Sequence, residues 1–524
     1  MTTSSPSRVL TNGSVTHREA EDEAASGLPD GSLLAALDLG SNSFHLIIAR
    51  VEHGEIRPVE TLAEKVQLGA GLIDHQLSQD AIDRGLACLE RFAQALDQLA
   101  PSRVRVVGTN ALRQARNRRD FTKPAERLLG VPVDVVYGRE EARLVYLGVA
   151  HSLADDESSR LVVDIGGGST EFIVGQRFEP QRLVSLQMGC VSYAQRHFPD
   201  GKISDKAFRA AVSEAFAEAS RIAPEFNSQF WIEAVGSSGT LQAIELLIQS
   251  QGWRDHGIDE RSLNKLKKKL MGFSQANDID LPGLAENRRG VICAGVAITQ
   301  GLFKALGIKT MRTSGGALRE GVIYDLMGRL SHEDVRERSI SAMVARHGAD
   351  PKSADIVAHR TAVLATAVAD SWQLSAQDIE LLTWTARVHE IGISIAQKGF
   401  HRHSAYLILN ADMPGFSQGE QECMALLLEG QRGKLRSEFL AAIPEDSFEK
   451  ISRMIALLRL AIALKYVELL EQLPDISVSA KGKTLTLTLP RGWRRSHPLS
   501  SRDLDDLKAL LSRLKIRLRI TVMR

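Results

Sequence analysis

Two stretches of this chain place an aspartate, small residues and hydroxyls at a strand end: "DLGSNSF" from Asp38 and "DIGGGSTEF" from Asp164. Glycine weakens a strand, so three in a row after the apolar run "RLVV" mean that something must come close to the backbone. Main-chain N–H groups of small-residue turns form anion-binding concavities, and helix N-termini add a favourable dipole. Gly166, Gly167 and Gly168 would let phosphate oxygens reach the main chain, with hydroxyls from Ser169 and Thr170. Ser41, Asn42 and Ser43 would do the same from the other side. A third turn, Gly236-Ser237-Ser238-Gly239-Thr240, and a fourth, "SGGALREG" over 314–321, each precede a helical pattern. Asp38 and Asp164 suit a hard divalent cation and its waters. "YGREEARLVYLGVA" over 137–150 opens an amphipathic helix with Glu140 and Glu141, leaving one glutamate to face a cleft. The macrodipole alone also favours acids there. These residue types would hold phosphate and, with a carboxylate to orient water, transfer it.

The elements that must position them come as a duplication. Shifted by 126 positions, Asp38 meets Asp164, Gly40 meets Gly166, Ser43 meets Ser169 and Ile47 meets Ile173. Both stretches read as apolar strand, polar turn, apolar strand and a glycine turn, at Gly54 and Gly175. "VRVVGTNALRQA" over 104–115 and "IEAVGSSGTLQAIELL" over 232–247 continue the likeness as strand, turn and helix start. Two such halves predict tandem α/β domains with a cleft between them.

The 524 residues exceed what one core can bury, and 44% apolar with 25% charged residues is an ordinary globular composition. Aromatics at 5% argue against a base-stacking platform, and a net charge of +1 makes any anion-binding surface local, so no nucleic-acid partner is expected. Cys88, Cys190, Cys293 and Cys423 lie far apart without a CxxC pair, so neither disulfides nor a thiolate metal site are indicated. Residues 1–30 read as a disordered tail. With no signal pattern and no apolar run of about 18 residues, no transmembrane segment and a cytoplasmic location are expected.

Taken together, "DLGSNSFHL", "EEARL", "DIGGGSTE", "MGCV" (188–191), "GSSGT" and "GGALREG" resemble the exopolyphosphatase and guanosine pentaphosphate phosphohydrolase family. The resemblance spans about 30 to 330 and weakens toward the C-terminus. It implies the actin-like, sugar kinase and Hsp70-like ATPase fold: two tandem actin-like (ribonuclease H-like) domains over 31–145 and 146–330, the last helix packing back on the first. It also implies Mg²⁺-dependent hydrolysis of a terminal phosphoanhydride and a homodimer. Glu141, second glutamate of the EEAR motif, becomes the expected base that activates water. Asp38 and Asp164 match the acidic positions of the phosphate hairpins, Arg319 and Glu320 the closing ALREG motif, and Arg113 the arginine of "GTNALRQ". Asp38, Asp164 and Glu320 are the expected metal ligands, with a monovalent cation such as K⁺ as a second candidate cofactor. No GxxxxGK[ST] motif is present, so this is not a P-loop enzyme.

Beyond about 331 the pattern turns helical, and "HEIG" and "HRHSAYLILN" are similar to HD-type phosphohydrolase domains. Glu390, after His389, and Ile462 stand where that similarity implies aspartates, so an HD-like helical domain without an intact metal site is expected over 331–474. A small α+β module over 475–524 alternates Leu485, Leu487 and Leu489 with threonines. Its segment 491–524 carries ten Lys and Arg against three Asp. Arg491, Arg494 and Arg495 are the candidate groove for a polyanion.

The leading expectation is a processive exopolyphosphatase acting on inorganic polyphosphate, since "IGGGS", "GTNALRQARN" and "HRHSAYLILNADMPGF" look closer to that side. The alternative, removal of the 5′ terminal phosphate of pppGpp, draws on "LPRGWRRSHPL". A kinase of the same fold has no use for Glu141, and a polyphosphate or alarmone sensor would bind without releasing phosphate.

Overall fold

The computed structural model describes residues 28–153, 157–330, 334–465 and 476–523. Most of the tail expected over 1–30, and the boundaries expected at 330/331 and 474/475, lie outside the described residues. Two compact units emerge: one takes the chain up to Val133 together with Glu141–Asp334, the other Asp134–Glu140 and the chain from Val335.

In the first unit, β1 (Leu33–Leu39), β2 (Ser43–Glu52) and β3 (Glu55–Lys65) form an antiparallel meander. β1 also pairs in parallel with β4 (Val104–Gly108), and β5 (Val133–Val135) completes the order β3-β2-β1-β4-β5. The second half repeats the plan. β6 (Ser159–Ile165), β7 (Thr170–Gln176) and β8 (Glu179–Leu186) form the meander, and β6 pairs in parallel with β9 (Glu233–Ser237). With β10 (Ile258–Asp259) and β11 (Thr310–Thr313) the order is β8-β7-β6-β9-β11-β10. β1 and β6 are the central strands, apolar over Leu33–Leu37 and Leu161–Val163 up to their aspartates, as strands covered on both faces must be.

α1 (Gly138–His151), α2 (Cys190–His197) and α3 (Ser238–Ser250) bring residues to the cleft, as does α5 (Leu318–Leu330), while α4 (Arg289–Leu306) packs behind α3. α4 is apolar nearly all round and ends on Gly307 in the left-handed conformation (φ 72°). Among the described residues it is the only helix long and apolar enough to cross a membrane, and most of it is buried inside the fold. It is the core helix of the second half, packed with Leu241, Ile244 and Phe208. α5 packs against β1, β2 and β4 of the first half.

In the second unit, α6 (Pro351–Trp372) and α7 (Phe448–Ala463) share one core with a small sheet of order β12-β13-β14. Its strands are Ser477–Lys481, Thr484–Leu489 and Arg517–Val522, and α8 (Pro498–Arg513) lies between the last two. The alternating Leu485, Leu487 and Leu489 all face that core.

Candidate active site

The two like halves enclose a cleft of about 260 Å³, lined by turns from both. Asp38, Ser41, Asn42 and Ser43 border it from the first half, and Asp164, Gly166, Gly167, Gly168 and Ser169 from the second. Ser238, Gly239, Thr240, Glu141 and Arg319 line it as well. Positions more than 250 residues apart in sequence thus converge, because each hairpin sits at the end of a central strand.

What approaches the triple glycine is first of all the facing turn. A Cβ at Gly167 would lie 3.1 Å from Ser41 Cβ, and one at Gly168 would lie 2.3 Å from Asn110 Oδ1. The same loop accepts the first N–H groups of α2: Cys190 N–H donates to Gly166 O (2.9 Å) and Val191 N–H to Gly167 O (2.8 Å). The glycines therefore serve the junction of the two turns as well as any ligand. α3 differs, since its N-cap Ser237 makes no side-chain cap, leaving first-turn donors for an anion.

Three polar atoms point to a missing partner. Asp38 Oδ1, Ser41 Oγ and Ser238 Oγ are buried, make no hydrogen bond, and belong to residues lining this cleft. Buried polar atoms are nearly always satisfied, so three orphans around one cavity mark a ligand that brings donors or charge. Ser238 is also held at φ 80°, a left-handed conformation that favours glycine.

Glu141 is 8% exposed and accepts a hydrogen bond from Arg113 Nη1 at 2.9 Å. Burial raises its pKa above the ordinary carboxylate value, and the Arg113 guanidinium opposes the rise. Burial likewise pushes Asp164 up to about 7, with Glu141 and Asp38 adding to the rise. The preceding glutamate, Glu140, is engaged elsewhere: its Oε2 accepts the Gly415 N–H at 3.0 Å within the second unit.

Several expected site residues do not line the cleft. Thr170 is fully buried and its hydroxyl donates to Met188 O. Gly236 and Ser237 close β9, where Ser237 Oγ donates to Gly316 O at 3.0 Å. Glu320, expected as a metal ligand, instead caps its own helix: its Oε2 accepts the Ala317 N–H at 2.9 Å and its Oε1 pairs with Arg319 Nε at 2.7 Å. A glutamate in the first turn that reaches back to the preceding N–H is half of a capping box, which explains its recruitment. Arg491, Arg494 and Arg495, expected as a polyanion groove apart from the cleft, belong to the second unit, where Arg494 pairs with Asp505 and the other two are exposed.

Reading the sequence missed four neighbours. Arg288 lines the cleft beside Gly239, where a Cβ would meet its Nη2 at 2.1 Å. His45 Nδ1 lies 3.6 Å from Asp38 Oδ2. Asn110 also borders the cavity, donating from Nδ2 to Gln187 Oε1 at 3.0 Å. Glu171 is 1% exposed behind the loop, accepts Ser185 Oγ at 2.8 Å, and burial holds its pKa well above the usual range. The "STE" of the motif was the available signal for Glu171; nothing local marks Arg288.

Among the described residues no three His, Cys, Asp or Glu side chains converge as a metal-holding group. Asp38 and Asp164 both line the cleft and Asp38 Oδ1 has no hydrogen-bond partner, a donor set of the kind Mg²⁺ takes, one or two carboxylates with the rest water. In the second unit, Glu390 accepts Lys465 Nζ at 2.8 Å, and His389 Nδ1 bonds to Ala386 O at 2.7 Å.

The model of the Ppx/GppA phosphatase family matches residues 47–330, and that of Ppx/GppA phosphatase, domain III, matches 335–508. Guanosine-5'-triphosphate,3'-diphosphate pyrophosphatase of Pseudoalteromonas translucida is 38% identical over 479 residues, 91% of this chain and 96% of its own. The protein of the same name from Photobacterium profundum is 38% identical over 481 residues, 91% and 95% of the two chains. The crystal structure of an exopolyphosphatase from Cytophaga hutchinsonii aligns with a TM-score of 0.52 at 23% identity, over 57% of this chain and 99% of its own, a likeness of fold.

Proposed function

This chain belongs to the Ppx/GppA phosphatase family and hydrolyses phosphoanhydride bonds, and from that premise we propose that it removes the terminal 5′-phosphate of guanosine 5′-triphosphate 3′-diphosphate. The products are inorganic phosphate and the 5′-diphosphate. The observation that carries the chemistry is the set of unpartnered polar atoms, Asp38 Oδ1, Ser41 Oγ and Ser238 Oγ, around a cleft that also holds Glu141. The choice of substrate rests on the two relatives of that name, alike over nine-tenths of the chain. That reverses the order of the two expectations drawn from short motifs.

In this reading the terminal phosphoryl group lies among the Ser41–Ser43 turn, the Gly166–Ser169 loop and the N-terminus of α3. Ser41 and Ser238 donate their free hydroxyls to its oxygens, and Arg288 and Arg319 offset its charge. Glu141, held by Arg113, takes the proton of a water whose oxygen bonds to the terminal phosphorus while the bond to the bridging oxygen breaks. Asp38 and Asp164 would hold Mg²⁺, which when bound neutralises phosphate charge. Orientation and charge compensation supply most of the acceleration, as expected where the transition state is loose.

The test is phosphate release from pppGpp and from long-chain polyphosphate, measured side by side on the same preparation. A kcat/KM for pppGpp at least about tenfold above that for polyphosphate ends, about 1.4 kcal/mol of transition-state preference, is the expected result. The opposite order would restore the polyphosphate reading.

A further inference from the structure

Outside the cleft, the second unit contains a groove of about 370 Å³ where α7 meets the small sheet. Its wall includes Phe448, the first residue of α7, while Trp372, the last of α6, is buried at its base. Ser452 lies inside, 1% exposed, and its Oγ has no hydrogen-bond partner. A buried hydroxyl left unsatisfied is costly, and here it borders a cavity of small-ligand size.

Two lysines stand at the mouth. Lys483 follows the β12–β13 turn and Lys515 follows α8, and both are exposed without an ion pair among the described residues. Lys515 sits at φ 60°, the helix-terminal position where glycine is cheapest, and its ammonium lies 5.3 Å from the Phe448 ring centre. A lysine kept there at a cost in backbone strain points to a use for its charge. The other cation, Arg453, is already committed: it donates to Trp372 O at 2.9 Å and to Glu449 at 2.5 Å. Glu445 supplies a carboxylate acceptor on the same rim.

We propose that this groove binds a nucleoside phosphate, with its ring against Phe448 and its phosphate between Lys483 and Lys515. Aromatic walls suit a flat ring, and two separate ammonium groups suit a multiply charged anion better than a single carboxylate. Glu445 accepts from ring N–H or ribose hydroxyl groups, an acceptor for which an acyl chain has no use. Ser452 Oγ gains the partner it lacks. The site does not depend on which substrate the cleft takes.

The experiment is calorimetric titration of the full-length protein with GMP, AMP, ribose 5-phosphate and inorganic phosphate. We expect GMP and AMP to bind with a Kd below about 1 mM, and ribose 5-phosphate at least tenfold more weakly. The double variant Lys483→Glu/Lys515→Glu should lose at least tenfold in GMP affinity while releasing phosphate in the cleft at the wild-type rate. Ser452→Ala should weaken GMP several-fold with thermal stability unchanged or raised, a combination that a purely structural serine would not give. Nucleotide binding that survives the lysine reversal, or no binding of either nucleotide at millimolar concentration, would overturn the proposal. Equal affinity for ribose 5-phosphate would overturn the ring contact.

Discussion

Ser238 and Glu171 show how single residues at this site are held away from their own preferences. Ser238 keeps a left-handed backbone, at φ 80°, and an unpartnered hydroxyl. Ser238→Gly removes both, so it should leave stability unchanged or raise it by up to about 1 kcal/mol while increasing KM for pppGpp. Urea unfolding and steady-state kinetics read the two effects separately. Glu171 has a folded pKa raised by burial and by the nearby Glu141 and Asp164. A raised acid binds more protons folded than unfolded, so its contribution is most favourable below its unfolded pKa and is lost as pH rises toward the folded value. Glu171→Gln, measured by urea unfolding in chelator, should therefore be more stable than wild type at pH 8 and lose that advantage near pH 4. An equal difference at both pH values would refute the raised pKa.

Between elements, the decisive fit is the crossing of α1 on α5. A Cβ at Gly148 would lie 2.1 Å from Ala317 O, and one at Gly321 would lie 1.8 Å from Leu144 O, so the two backbones meet without side chains between them. This crossing fixes the helix that carries Glu141 against the helix that carries Arg319. Gly321→Ala must push them apart, at a cost of about 1–3 kcal/mol or more, and should lower phosphate release as well as Tm. A variant with wild-type Tm and turnover would show that the crossing does not position the base. Much of the site was legible because its strand ends, turns and first-turn acids are local patterns: Asp38, Gly166–Gly168 and Glu141 could each be read from their neighbours. The crossing was not, since Gly148 and Gly321 look like ordinary helix positions and only the fold pairs them. Arg288 was missed for the same reason, and the capping contact of Glu320 was not foreseen because a metal-ligating glutamate and a helix-capping one can occupy the same motif position.

At the scale of the whole first unit, a buried cluster ties its two halves. Asp325 on α5 bonds to Arg105 on β4, to Arg143 on α1 and, at 2.9 Å, to Arg329. The three guanidiniums hold its pKa far below the usual carboxylate value despite burial. Because the folded pKa is depressed, its stabilisation is present above the unfolded value of about 3.9 and is lost as pH falls through the folded one. Asp325→Ala leaves buried guanidiniums without their carboxylate, so urea unfolding at pH 7 should show a loss of about 3–5 kcal/mol, shrinking as wild type is acidified. The proposed hydrolysis turns on Glu141 acting as the base inside the cleft those halves enclose. Its most direct test is single-turnover phosphate release from pppGpp by Glu141→Gln, alongside equilibrium binding of the same substrate. We predict binding within a few-fold of wild type and release slowed by roughly 10²–10⁴-fold. Release at a near wild-type rate would contradict it.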